Sequence, residues 1–130
     1  MEFAISFRDL EVYKLARQLA KEIFEESRNW PKEETYSLTS QIRRASRSAG
    51  AQIAESWGKR RYVNHFISKL TDSDGEQLET QHWTETALDC NYIDRTKADD
   101  WLRKCVSIGK MLNSMMEKAD EFCNIKNARK

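Results

Sequence analysis

Six cations gather in one short stretch of the chain. Arg43, Arg44, Arg47, Lys59, Arg60 and Arg61 lie between Gln41 and Arg61 and are opposed there only by Glu55. Arginine carries a planar fork of donors that matches carboxylate or phosphate oxygens in pairs, which a lysine ammonium cannot do. Arg43 and Arg47 are one helical turn apart with Arg44 beside them, so a helix over this segment carries a basic stripe. Lys59, Arg60 and Arg61 cluster at the loop beyond Gly58. The balance reverses from Asp72 to Asp100, where nine acids, Asp74, Glu76 and Glu79 among them, face only Arg95 and Lys97. Three uses of the stripe follow. Arg43 and Arg44 can pair with carboxylates such as Asp74 or Glu79, within one bundle or at a subunit boundary. The six cations together can contact nucleic-acid phosphates, with an affinity that falls steeply with salt. The same surface can dock an acidic protein.

Other chemistry finds less material. Glu79 and His82 form one Glu-x-x-His pair at helical spacing, half of what a ferritin-like di-metal site takes from its helices. The only other histidine, His65, has Tyr62 rather than an acid three residues before it, so the second pair is missing. Neither histidine sits in a nucleophile-base-carboxylate pattern, and no Gly-rich phosphate loop is present. Cys90, Cys105 and Cys123 are odd in number and too widely spaced for a metal knuckle, so they read as core or surface thiols. We therefore expect no enzyme activity and no cofactor.

The elements that must position the stripe are helical. The chain has 130 residues, one domain's worth, with four Gly and one Pro, and is rich in Ala, Leu, Glu, Lys, Arg and Gln. Leu10, Tyr13, Ala16, Ala20 and Phe24, with Val12, Leu19 and Ile23 beside them, define an amphipathic helix over about 9–27, stopped by Asn29-Trp30-Pro31. Leu38, Ile42, Ala45, Ala49, Ile53 and Trp57 define a second over about 35–57, whose many small residues let neighbouring backbones approach closely. A third, about 63–90, places Phe66, Ile67, Leu70, Leu78 and Leu88 on a face that also presents Ser73, Asp74, Gln77 and Gln81. Those polar turns either pair with helix two or look into water. The fourth, about 95–123, has Asp94 or Thr96 as N-cap. Its seam runs unbroken through Ala98, Trp101, Cys105, Ile108, Leu112, Met115, Ala119 and Phe122. Residues 124–130 read as a fraying end.

Short loops between four helices favour an up-down-up-down antiparallel bundle, an all-α fold in a single domain spanning 1–130. Stripes on helices two and four are wider than one contact needs, and the charge is polarised, so a heterologous, ring-forming homo-oligomer is expected. No apolar run approaches the roughly 18 residues of a membrane span. The first residues show no export signal. The expected location is the cytoplasm.

The chain resembles the small bacterial four-helix bundle proteins encoded in 23S rRNA intervening sequences, whose relatives include the accessory proteins of diversity-generating retroelements. The residues that carry this are Phe7-Arg8-Asp9-Leu10-Glu11-Val12-Tyr13-Lys14, Trp30-Pro31-Lys32-Glu33-Glu34, Leu38-Thr39-Ser40-Gln41-Ile42-Arg43-Arg44-Ala45 and Gln52-Ile53-Ala54-Glu55. Leu78-Glu79-Thr80-Gln81 and Gly109-Lys110-Met111-Leu112-Asn113 extend the likeness over nearly the whole chain. The resemblance implies a barrel-like homopentamer with no enzymatic activity. For the retroelement relatives it also implies a basic surface that binds RNA or DNA and a reverse transcriptase as partner. The matching positions here are Arg43 and Arg44, followed by Arg47 and Arg60. With a net charge of +1, this chain resembles the general family more than the strongly basic retroelement branch.

Overall fold

A computed structural model of the chain describes residues 4–123; the expected fraying end at 124–130 lies outside them. Among the described residues the structure is all-helical, with four long helices and no strand. They are α1 (Glu11–Ser27), α2 (Leu38–Gly58), α3 (Val63–Asp89) and α4 (Arg95–Glu117), followed by a short α5 (Ala119–Cys123).

Local chemistry sets each boundary. The first helix starts two residues later than its period suggests, because the Asp9 carboxylate accepts the amides of Ile5 and Ser6 at 2.9 and 3.0 Å and belongs to a separate 3-10 turn, Phe7–Asp9. Those two hydrogen bonds hold the Asp9 carboxyl below its usual range. The second helix likewise starts at Leu38 rather than 35, since Lys32–Glu34 forms another 3-10 turn and Glu34 accepts the Leu38 amide at 3.3 Å. The other Glu34 oxygen takes the Tyr92 hydroxyl at 2.8 Å, tying the first loop to the turn after α3. Trp30 is buried against Tyr92, ring centroids 5.7 Å apart, and covers that end of the bundle.

α3 ends in a turn at Asn91, whose φ of 61° is left-handed. Asn91 and Tyr92 return their amides to the carbonyls of Leu88 and Ala87, so the last turn leaves few carbonyls open. Asparagine tolerates this conformation better than most residues. Three residues later Asp94 caps α4 by accepting the Lys97 amide at 2.8 Å. α4 itself stops at Glu117, earlier than the seam implied. The Lys118 amide is shared between the carbonyls of Ser114 and Met115, and the backbone then re-enters a helix. The break turns α5 onto α3, where Phe122 stacks on Phe66 with centroids 5.6 Å apart.

The core runs the length of the helices. Ile23, Ile42, Ile53, Phe66, Leu70, Trp101, Cys105 and Leu112 are all fully buried. The α4 seam from Ala98 to Met115 is buried throughout, continued by Ala119 and Cys123. Of Ser73, Asp74, Gln77 and Gln81 in the polar middle of α3, Ser73 bonds to helix two and the other three bond to one another along α3, with Gln77 packed at Gly109 of α4. Ser73, Gln77, Thr80 and Thr84 are buried; Ser73 donates to the Ala49 carbonyl at 2.8 Å, and the two threonines bond back to carbonyls four residues earlier. Contacts climb α2 as they descend α3: Arg44 meets Glu79, Ser48 meets Glu76, Ala49 meets Ser73 and Gln52 meets Lys69. Two apolar assignments are corrected. Leu78 is 55% exposed and Phe24 is 36% exposed, because the buried arc of each helix is centred on neighbouring positions, Gln77 and Thr80 in α3 and Ile23 and Ser27 in α1.

Packing around two helical glycines leads to opposite expectations. A Cβ on Gly75 meets nothing within 4 Å, whereas one on Gly109 lies 2.8 Å from the Gln77 amide nitrogen, which is held by Asp74. Gly75→Ala therefore raises stability by about 0.5–1 kcal/mol through helix propensity. In Gly109→Ala the same gain is outweighed by the cost, about 1–3 kcal/mol, of displacing a buried amide from its partners; urea titrations of both variants check the opposite signs. Burial pushes the Cys105 thiol up to about 12 and raises that of Cys123, while Cys90 is exposed. A disulfide reagent at neutral pH should label Cys90 rapidly, and the two buried thiols only after denaturation.

Candidate functional site

The basic stripe of α2 divides between two faces. Successive residues of a helix point about 100° apart, so Arg43 faces α1 while Arg44 faces α3. The Arg43 Nε donates to the buried Ser27 hydroxyl at 2.8 Å and its Nη2 reaches the Phe24 carbonyl at 3.5 Å. Arg43 thus supplies donors to the last turn of α1, where backbone carbonyls lack helical partners. Its guanidinium also lies 4.8 Å from the Phe24 ring centroid. Arg47, one turn on, lies 5.4 Å from the same centroid, and Arg28, just past the end of α1, 5.9 Å from it. Three cations thus gather around one half-exposed aromatic ring. None of the three makes an ion pair among the described residues. Desolvation first, and the charges of Arg47 and Arg28 next, lower the Arg43 pKa.

Arg44 has the opposite surroundings. Its Nη2 donates to Glu79 at 2.7 Å and to the Gln41 side chain at 3.3 Å, with Glu76 4.0 Å from Nη1. Glu79 also accepts the Trp83 indole at 3.2 Å. The expected carboxylate partner therefore exists for Arg44 and not for Arg43. Neither pairs with Asp74, which is held by Gln77.

At the far end of α2, Arg60 folds back. Its Nε donates to the Trp57 carbonyl at 2.8 Å and its guanidinium lies 3.6 Å from the Trp57 ring centroid, closing the helix C-terminus. Lys59 and Arg61 are exposed. Roughly 18 Å of helix, at 1.5 Å per residue, separates Arg47 from Lys59. The six predicted cations therefore form two separate groups, with Arg44 turned aside to α3.

Sequence reasoning missed Arg28 and Phe24. Arg28 stands outside the Gln41–Arg61 segment, and Phe24 fits the apolar period of α1. The usable signal is the short connection through Pro31, which returns the chain so that the end of α1 lies against the first turns of α2. Elsewhere, His82 is exposed and packs edgewise on Trp83, 4.7 Å between centroids, and Glu79 is committed to Arg44. Among the described residues no group of three or more His, Cys, Asp or Glu is placed to hold a metal ion. None of their helices is long and apolar enough to cross a membrane. An open cleft of about 380 Å³ is lined by Glu26, Tyr92, Asp94 and Lys97 and includes none of the arginines in its lining.

The sequence model of a family described as 23S rRNA-intervening sequence protein matches residues 8–114. Among solved structures, the crystal structure of a protein with unknown function from the S23 ribosomal protein family of Bacteroides thetaiotaomicron VPI-5482 is similar, with a TM-score of 0.71 and 26% identity. The likeness covers 81% of this chain and 97% of that one. Among curated proteins, none matches.

The two neighbouring arginines should behave differently when removed. Arg44 and Glu79 are half exposed, with side-chain accessibilities of 55% and 33%, so Arg44→Ala should cost less than about 1 kcal/mol. Arg43→Ala removes a donor from the buried Ser27 hydroxyl and the α1 terminus, and should cost about 1–2 kcal/mol. Denaturation midpoints of the two variants give the order.

Proposed function

The chain belongs to the 23S rRNA-intervening sequence protein family, and from that premise we propose that it is a non-catalytic, oligomeric accessory protein that binds RNA or DNA through the basic surface of α2. The observation that carries this reading is the set of arginines gathered at Phe24 without a carboxylate partner, with exposed Lys59 and Arg61 further along the same helix. Cations already paired within the chain have little to offer phosphate; these remain available. Arg44 contributes least, because binding would first have to displace Glu79.

In the finer reading, the helices run up-down-up-down and antiparallel, and the bundles close into a cytoplasmic ring with five members favoured. Leu78 and Val106, exposed on α3 and α4 at 55% and 44%, support self-association, since each gains by leaving water. A ring multiplies the basic surface, so weak contacts at each subunit add through one tethered ligand. A reverse transcriptase is the protein partner that the retroelement resemblance would add. The net charge of +1 favours the general family reading over that branch.

The test is binding of labelled structured RNA and duplex DNA across a salt series, with molar mass followed by light scattering in the same buffers. Log affinity should fall linearly with log salt. Changing Arg47, Lys59 and Arg61 together to Gln should flatten that slope, by about 0.7–0.9 for each phosphate that the variant no longer neutralises, at unchanged mass. Absence of binding even at about 50 mM salt, where phosphate contacts are strong, would leave the protein as an interaction scaffold.

A further inference from the structure

The arginine group at Phe24 has a geometry that a track for nucleic-acid backbone does not require. A track places single cations at intervals to meet successive phosphodiesters, each carrying one charge. Here three guanidiniums gather at one aromatic ring. All lie within 6 Å of one ring centroid, at 4.8, 5.4 and 5.9 Å. They are therefore within about a Debye length of one another, ~10 Å at 0.1 M salt, where their mutual repulsion is only partly screened. No side chain among the described residues neutralises them by an ion pair. Arg43 is held in place from behind by Ser27 and the Phe24 carbonyl through Nε and Nη2, which leaves its Nη1 edge to a ligand. Arg28 and Arg47 are exposed and have no hydrogen-bond partner among the described residues; their only ring contact is with Phe24.

We infer that Arg28, Arg43 and Arg47 form a cradle for one terminal phosphate, the phosphomonoester at the end of a nucleic-acid strand, rather than for the phosphodiesters of its interior. A monoester carries close to two charges at neutral pH and three open oxygens, enough to meet guanidiniums arriving from several directions. A diester has two open oxygens, and the sugars on its remaining two obstruct approach from those sides. Phe24 lies within cation–π reach of all three guanidiniums and so gathers them in one neighbourhood. The inference rests on the proposed nucleic-acid role and names the part of the ligand that this site takes. The Lys59 and Arg61 group, some 18 Å away along α2 by helical rise, is left for the interior of the same strand.

The experiment compares two single-stranded RNA oligonucleotides of one sequence, with a 5′-phosphate and with a 5′-hydroxyl, binding to the full chain, together with pyrophosphate as a strand-free probe. Arg28→Gln/Arg47→Gln is the variant; it leaves Arg43 to hold the end of α1, and its helicity and molar mass are compared with the parent protein. The parent should bind the phosphorylated strand about tenfold more tightly, and the variant should bind both strands alike. Equal binding of both strands by the parent, with equal loss in the variant, overturns the end-phosphate inference and leaves nucleic-acid binding standing. Binding of pyrophosphate that depends on Arg28 and Arg47, with neither strand bound, overturns both the end-phosphate inference and the nucleic-acid reading and leaves a site for a small anion. No binding of any of the three probes overturns both.

Discussion

A hydroxyl on one helix can reach a backbone carbonyl of its neighbour only when almost nothing stands between them, and the bond from Ser73 to Ala49 sets that condition on α2 and α3. Ordinary helix pairs lie 8–10 Å apart, at a distance decided by the side chains at the contact. Buried Ala45, Ser46, Ala49 and Gly50 keep α2 slim along its inner faces. The close seam lets short polar side chains replace large apolar ones in the middle of α3, each hydroxyl finding a carbonyl. The same economy recurs between α3 and α4, where Gly109 makes room for the amide of Gln77.

Because α3 lies so close, the α2 face toward it is also where its carboxylates reach across. Glu76 accepts from Ser48 and Glu79 from Arg44, while Lys69 of α3 donates to Gln52 and Glu55 of α2. From the acidic stretch of the sequence, Glu76 and Glu79 are committed along this seam, and Asp100 meets Lys104, which Glu22 also holds between α1 and α4. The opposite flank of α2 lies against the end of α1, whose last turn offers carbonyls to it, while Glu26 of that turn pairs with Lys97 of α4. The cations there stay unneutralised. Charge segregation between segments of sequence thus becomes segregation between two sides of one helix, and the functional reading follows from which side each arginine takes.

Much of the architecture was legible residue by residue. The period of three and four in α4 marks the buried seam from Ala98 to Met115. Asp94 announces the cap, and Pro31 announces the end of α1. The misplacements have local causes. Glu34 and Asp9 spend their carboxylates on backbone amides and shorten the helices beside them. Leu78 and Phe24 satisfy an apolar period yet sit a fraction of a turn off the buried arc. A helix period fixes which residues share a face, and leaves a rotation about the axis that only the neighbouring helices settle.

The sequence by itself determined the helical class, the positions of its main breaks, the seam of α4, the polarity of charge along the chain and the presence of an arginine stripe on α2, because each depends on periodicity or on contacts within a few residues. Tertiary structure alone decided that Arg44 is spent on Glu79, that Arg43 holds the end of α1, and that Arg28 and Phe24 join Arg47 beside it. Those fates depend on distances between residues as many as 35 apart in the chain. The angle of about 100° between consecutive helical side chains turns two identical neighbours toward different helices and gives them different chemistry.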